Sequence, residues 1–312
     1  MLKNFLFSLL NIYKLLRLKF SITLFPKKRT MYLEYCSEEF KQTLKAMSIH
    51  PGDSLFVMCS PDQILDKTGR SLPVHLLLND LLEYIGETGT LMVLGFSKFR
   101  EEIISGERVF DLRKTPTNCG ILSELTRRKS GSVRSLQPIF SALAYGKKAA
   151  DYCGTHAISP YPFDEHSPFS KITQDNGKYL GVGVGIEAYT PMYTLFDCHI
   201  GEKVSLYSKS PLRFNALDER GEEMQLESFV REGFYGVPDM NYHLNRLPIA
   251  FSNVEMKSGI DMFSINMLEW FDAARTLYDK DLVDPYHFNL PAWREKVFYL
   301  YRKICRAISR DQ

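Results

Sequence analysis

The chain has no CxxC pair, no HExxH and no GxSxG, and its six cysteines (Cys36, Cys59, Cys119, Cys153, Cys198 and Cys305) stand far apart. That spacing excludes a zinc site of the usual kind and argues for reduced thiols in a cytoplasm rather than a disulfide framework. The glycines of Gly181-Val-Gly183-Val-Gly185 lack the dinucleotide spacing and the lysine of a Walker A loop, so they read as a tight turn rather than a phosphate cradle. Internal repeats and low-complexity tracts are missing, as is an apolar run of the roughly 20 residues that a bilayer span needs. An excess of one charge is missing too. Lys+Arg 39 against Asp+Glu 37 leaves +2, too balanced for a protein that holds nucleic acid through bulk charge. With 45% hydrophobic and 24% charged residues over 312 positions, the composition is that of a globular protein with a substantial core.

What the chain does have is an uneven charge distribution. Residues 1–30 hold Lys3, Lys14, Arg17, Lys19, Lys27, Lys28 and Arg29 with no acid, a segment of +7, and the remainder carries 32 basic against 37 acidic residues. Leu2, Phe5, Leu6, Leu9, Tyr13, Leu16 and Phe20 recur at steps of three and four, the pattern of an amphipathic helix. Basic helices of this kind lie in the headgroup layer of anionic membranes, each cation contributing about 1 kcal/mol. Residues 1–30 are therefore read as a basic extension facing the cytoplasmic membrane surface, with packing on the body or a second subunit as the plainer alternative. At the other end Trp293, Val297, Leu300, Ile304 and Ile308 form one stripe, expected to be a helix that covers the core.

Between the ends, Ser37 followed by Glu38 and Glu39 opens a helix running toward Ser48. Asp53 to Met58 is a buried-type strand, Leu72 to Ile85 an apolar-faced helix and Gly89 to Leu94 a second strand, which together make a βαβ unit with right-handed crossover. A helix is expected over Gly120 to Arg128, a strand over Gly177 to Val184 and a helix over Ser264 to Asp279. Alternation at Val204–Tyr207, Leu212–Phe214 and Met224–Leu226, around turn residues Asp218 to Gly221, marks an antiparallel section at about 203–255. The fold class expected is α/β, a single mixed-sheet domain over 31–312 with an antiparallel β-rich section and terminal amphipathic helices.

Six segments add a resemblance. They are Pro51-Gly52-Asp53-Ser-Leu-Phe-Val, Gly86-Glu-Thr-Gly89-Thr-Leu-Met-Val, Phe110-Asp111 through Thr115-Pro116-Thr117 to Glu124, Arg134-Ser135 through Pro138 and Ser141 to Gly146, Pro162 to Phe169, and Gly177 to Gly183. In that order and spacing they resemble the aminoglycoside 3-N-acetyltransferase family over roughly residues 38 to 280. The resemblance implies that family's α/β fold and transfer of an acetyl group from acetyl-CoA to a sugar amine, with no metal. Such chemistry needs a base for the amine proton and donors for the developing oxyanion.

By that resemblance His156 is the expected general base and Asp197 its carboxylate partner, while Thr115, Thr117, Arg134, Ser135 and Ser141, with Ser60 at the strand end, are expected on the coenzyme. The chain also departs from the family. Met58, Gln137 and Tyr193 stand where the family usually has histidine, and Asp197 stands where it has glutamate. A smaller and less basic acceptor than an antibiotic follows from those losses, an amino sugar for surface polysaccharide handled at the inner membrane surface. Aminoglycoside resistance and a non-catalytic binding scaffold are the alternatives, and Cys59 is weighed as an acyl-accepting thiol. The expected partners are an amino-sugar substrate, the membrane surface and a second copy of the chain in a homodimer.

Overall fold

Alternation along Ser54–Cys59 decides where everything else sits. The structure, a computed structural model, describes residues 31–200, 207–208, 210–230 and 239–280. The basic segment 1–30, the stripe from Trp293 to Ile308 and residues 204–206 of the expected strand lie outside the described residues. The strands are β1 (Ser54–Cys59), β2 (Thr90–Leu94), β3 (Phe110–Asp111), β4 (Val133–Arg134), β5 (Ala142–Gly146), β6 (Lys178–Val182), β7 (Leu212–Leu217), β8 (Glu223–Ser228), β9 (Phe251–Glu255) and β10 (Asp261–Asn266). Seven of them form one sheet in the order β4-β5-β2-β1-β6-β10-β9, and β3-β7-β8 form a smaller one.

Only the centre of the large sheet is parallel. β1 pairs in parallel with β2 and with β6, while β5, β10 and β9 run antiparallel to their neighbours. Successive strand side chains point to opposite faces, and the core divides accordingly. Leu55, Val57, Leu91, Val93, Leu180 and Val182 face one hydrophobic cluster. Phe56, Met92, Tyr179, Phe263 and Ile265 face the other. The first face is covered by helices α1 (Ser37–Ala46), α2 (Pro61–Thr68) and α3 (Val74–Ile85), whose Phe40, Leu44, Ile64, Leu77 and Leu81 are buried. Helix α4 (Arg100–Ser105) adds Ile103 to the second cluster, and α5 (Ile121–Arg128) returns Leu122 to the first. Helices α6 (Ala149–Cys153), α7 (Pro168–Gln174), α8 (Met240–Leu244) and α9 (Met267–Asp279) close the second face.

Expected elements recur with shifted ends, and others that were not expected join them, among them α2, α4, β5, α6 and α7. Helix α2 was not expected; Ser60 caps it by accepting from the Gln63 N–H at 3.3 Å, and Pro61 begins it. The expected helix from Ser264 is corrected at its start, because Met262–Asn266 pair with β6 and the helix begins only after Asn266, whose side chain accepts from the Leu268 and Glu269 N–H groups. The antiparallel section splits: β7 and β8 form the hairpin of the small sheet, whereas β9 joins the large one. Gly183 adopts φ +69°, and a β-carbon there would lie 2.5 Å from the Ile64 side chain, so the glycine turn after β6 permits close packing. Its N–H donates to the Asp261 carbonyl at 2.7 Å and that of Gly185 to Glu187, which leaves no cradle for a phosphate at either amide.

Candidate active site

A cavity of about 250 Å³ opens at the carboxyl ends of β1, β2 and β6, the place where parallel α/β sheets receive ligands. Each strand sends a residue to it. Met58 lies near the end of β1 on the face shared with Phe56, Phe96 follows β2, and Glu187, Ala188, Tyr189, Thr190, Met192 and Tyr193 follow β6. Phe140 arrives from the turn before β5, Phe163 from the loop before α7, and Tyr207 and Met240 complete the wall. The aromatic side chains support one another: Phe96 meets Phe140 edge-on at 5.2 Å, Phe140 meets Phe163 at 5.5 Å, and Phe163 meets Tyr193 at 5.2 Å. Among the described lining residues Glu187 is the carboxylate, and its Oε1 accepts from the Gly185 N–H at 2.8 Å.

The residues expected in catalysis and coenzyme binding converge, but beneath this wall rather than on it. His156 is only 1% exposed and its ring sits edge-on to Phe169. Nε2 donates to the Pro162 carbonyl at 2.9 Å, so Nδ1 accepts from the Ser135 hydroxyl at 2.7 Å. Burial pushes the imidazole down to about 4, with the Pro162 bond opposing, so the ring is neutral at physiological pH. The expected base carries a free lone pair toward substrate; in this structure both ring nitrogens are engaged inside the protein.

Arg134, expected on the coenzyme, is likewise engaged inside the protein. It is 6% exposed, donates through Nη1 to the Thr115 carbonyl and through Nη2 to the Gly95 carbonyl, each at 2.5 Å, and through Nε to Ser141 at 3.0 Å. Its guanidinium lies over the Phe110 ring, and burial lowers it to about 10. The Ser141 hydroxyl donates to the Gly95 carbonyl at 2.6 Å, and Ser135 Oγ accepts from the Ala142 N–H at 2.8 Å. Thr115 accepts from the Asp111 N–H and Thr117 from the Cys119 N–H, both as turn-closing bonds. Thr115, Thr117, Arg134, Ser135 and Ser141 therefore hold the loops before and after β4 together. Ser60, half-buried at the start of α2, is the one expected coenzyme contact left near solvent.

Asp197 reaches the cavity through a neighbour. Its carboxylate accepts from the Tyr207 hydroxyl at 2.9 Å and from the Phe163 N–H at 2.9 Å. It does not touch His156. The Pro162–Phe163 peptide stands between them, its carbonyl taking the histidine's proton donor and its N–H serving the aspartate. Burial, opposed by the bonds from Tyr207 and Phe163, pushes the Asp197 carboxyl up to about 7.

The positions vacated by the family histidines also divide. Met58 and Tyr193 line the cavity, whereas Gln137 is buried, its Nε2 donating to Ser228 at 2.5 Å and its Oε1 accepting from the N–H groups of Ile139 and Phe140. Cys59 follows Met58 and therefore packs against the opposite cluster, away from the cavity; burial pushes its thiol up to about 12, which removes it as an acyl acceptor. Sequence reasoning passed over Phe96, Glu187, Tyr189, Tyr207 and Met240. Glu187 and Tyr189 were within reach, because they directly follow the carboxyl end of a parallel strand. Tyr207 and Met240 carried no such signal. Among the described residues no group of three or more His, Cys, Asp or Glu is placed to hold a metal ion, and no helix is long and apolar enough to cross a membrane.

A mixed sheet with its cavity at this switch of strand direction defines an α/β fold suited to a ligand laid across the strand ends. The sequence profile of the aminoglycoside 3-N-acetyltransferase family matches residues 70–224, which carry β2 to β6, the buried network and most of the cavity wall. The chain belongs to this family of acetyl-CoA-dependent acetyltransferases. Among solved structures it resembles the aminoglycoside acetyltransferase AAC(3)-Xa, at 16% identity over 80% of this chain and 94% of that one, with a TM-score of 0.64. It resembles a variant of AAC(3)-IVa in complex with a gentamicin, at 18% identity over 85% and 94%, with a TM-score of 0.63. A third is AAC-IIIb in a binary complex with CoASH, at 16% identity over 83% and 99%, with a TM-score of 0.61. At these identities the likeness is one of fold.

Proposed function

We propose that the chain transfers an acetyl group from acetyl-CoA to the amine of an amino sugar that is smaller and less basic than an aminoglycoside. The cavity carries this reading. At about 250 Å³ it falls below the roughly 300–1,000 Å³ of sites that take drug-sized ligands. Aromatic walls suit the C–H face of one sugar ring, and Glu187 supplies one negative charge, where a polycation favours several. The acetyl thioester supplies the electrophilic carbon, and the apolar wall fits an acyl group and excludes water. With Arg134 spent internally, the coenzyme's anionic end falls to exposed groups such as Lys98, two residues beyond Phe96, together with Ser60.

The +7 charge and amphipathic pattern of residues 1–30 support an activity at an anionic membrane surface, on amino sugars for surface polysaccharide. Full-length protein is expected to sediment with vesicles containing anionic lipid, and a version lacking residues 1–30 to stay in solution; equal behaviour of the two would remove the membrane role. The activity itself is tested by thiol release from acetyl-CoA with a panel of free and nucleotide-linked amino sugars and with gentamicin. Release that depends on a single-ring amino sugar, with kcat/KM at least tenfold above that for gentamicin, is the expected result. Faster release with gentamicin would make the protein a resistance enzyme, and CoA binding without acceptor-dependent release would make it a scaffold.

A further inference from the structure

Among the described residues that line the cavity, the ionisable ones are Glu187, Tyr189, Tyr193 and Tyr207, so the attacking amine meets no imidazole there. One of these tyrosines has a carboxylate behind it. The Tyr207 hydroxyl donates to Asp197, with both carboxylate oxygens at 2.9 Å. Resting on the acetyltransferase reading, we propose that Tyr207 takes the proton of the attacking amine while passing its own proton to Asp197.

The step balances. The amine nitrogen forms a bond to the thioester carbon, and a proton on that nitrogen moves to Tyr207 Oη. The hydroxyl proton of Tyr207 moves to Asp197 Oδ, and the carbon–sulfur bond breaks with its electron pair leaving on the thiolate. Asp197 then releases its proton to solvent or thiolate, which restores the starting state. No oxidant or further reactant is needed. Tyr207 is the catalytic residue here because it touches the amine; Asp197 acts through it.

The surroundings hold this pair in place. The Tyr207 ring lies in an aromatic group with Tyr161 at 6.1 Å and Phe229 at 6.0 Å, and Tyr161 meets Phe229 at 4.5 Å. The next residue anchors the backbone, with the Ser208 N–H donating to the Val230 carbonyl at 2.8 Å. On the other side Asp197 accepts from the Phe163 N–H, and the same peptide group takes the proton donor of His156 through the Pro162 carbonyl. A continuous hydrogen-bond chain thus runs from Ser135 through His156, the 162–163 peptide and Asp197 to the cavity wall at Tyr207. His156, the residue whose sequence context resembles a catalytic histidine, fixes the loop that aims the aspartate.

The charges around Asp197 favour a proton acceptor. The facing groups are the Tyr207 hydroxyl, the Phe163 N–H, the Asp164 carboxylate and the neighbouring Cys198 thiol, which burial keeps protonated. Among the described residues no cation is one of them, and Asp164 raises the carboxyl further. Its value of about 7 lies where a carboxylate both accepts and returns a proton at neutral pH.

Two variants and two readouts test the proposal. Tyr207→Phe and Asp197→Asn are each expected to lower kcat about 100-fold or more, with the acceptor KM within about threefold of wild type. The acidic limb of the wild-type rate profile, near pH 7, should vanish in Asp197→Asn. Independently of turnover, an infrared titration of the unliganded protein should follow the Asp197 carboxyl, and Tyr207→Phe should move its midpoint upward because a donor to the carboxylate is gone. A Tyr207→Phe enzyme that keeps its kcat within threefold overturns the relay and leaves the acetyltransferase reading standing. An unmoved carboxyl midpoint also overturns the relay. Wild-type protein without acceptor-dependent turnover sinks both readings together.

Discussion

The buried network and the cavity wall occupy opposite sides of the same few loops, and they answer to different demands. The network joins Thr115, Arg134, Ser135, Ser141 and His156 through bonds to backbone carbonyls and amides, with the Thr115 hydroxyl closing its own turn. Its residues are those that the sequence resemblance led us to expect on the coenzyme and at the reacting amine. The wall carries Met58 and Tyr193, two of the positions where the resemblance led to an expected histidine, while the third, Gln137, is buried. The contrast teaches that buried polar motifs here maintain the shape of the site, and that the residues on its wall decide what the site takes. Network residues should therefore cost stability when removed, and wall residues should cost specificity.

Arg134→Ala tests the first half most severely. It leaves the Thr115 carbonyl without its donor, leaves the Gly95 carbonyl with Ser141 alone and opens a void beneath Phe110, a loss of about 3–4 kcal/mol that a urea unfolding midpoint would register. An effect within 1 kcal/mol would mean that the guanidinium is not a structural tie. Stability against pH sharpens the contrast next, because two groups oppose each other. His156 is depressed from 6.5 to about 4, so its contribution is complete above pH 6.5 and is lost as the pH falls toward 4. Asp197 is raised from 3.8 to about 7, so the native state binds the extra proton and gains stability as the pH falls from 7 toward 3.8. Between about pH 4 and 6.5 the two slopes cancel in part. Asp197→Asn should steepen the acid loss, and His156→Gln should reverse it; unchanged slopes in chemical denaturation across that range would contradict the assigned environments.

On the wall, Met58→Ala removes a half-buried side chain and should cost only about 1–2 kcal/mol, yet it should raise the rate with bulkier acceptors relative to small ones. An unaltered ranking of acceptors would place the substrate elsewhere. The smallest effect belongs to Cys59→Ala, expected to keep turnover within twofold. In the unmodified protein, iodoacetamide should label exposed Cys36 well before Cys59, whose thiol burial keeps protonated.

Much of the fold could be read before any coordinates, for reasons visible in particular elements. Five- and six-residue apolar runs between turn signals made β1 and β2 plain, and the asymmetric helix α3 between them implied their parallel pairing. Helix α2 escaped because it is short and buries only Ile64. The end of β10, from Ser264, was read as helix because its buried residues run on into those of α9, and only the cap at Asn266 separates them.

The site was legible in membership but not in direction. Hydroxyls with one guanidinium read the same whether they meet a phosphate or interior carbonyls, and the spacing of Arg134, Ser135 and Ser141 could not say which. Strand alternation, by contrast, did contain the answer for Met58 and Cys59, since adjacent residues must face opposite clusters. Tyr207 depended on a contact with Asp197 made across the fold, which no local pattern announces.

Turnover by His156→Gln tests the division between network and wall most directly. The variant is to be assayed with acetyl-CoA and the best amino-sugar acceptor, at a temperature where circular dichroism shows it folded. Because the ring lies behind the wall with both nitrogens engaged, the variant should keep roughly a tenth or more of the wild-type kcat while unfolding at a lower temperature. A fully folded variant that loses about a thousandfold would make the imidazole the base after all, and the wall would no longer be where the chemistry is done.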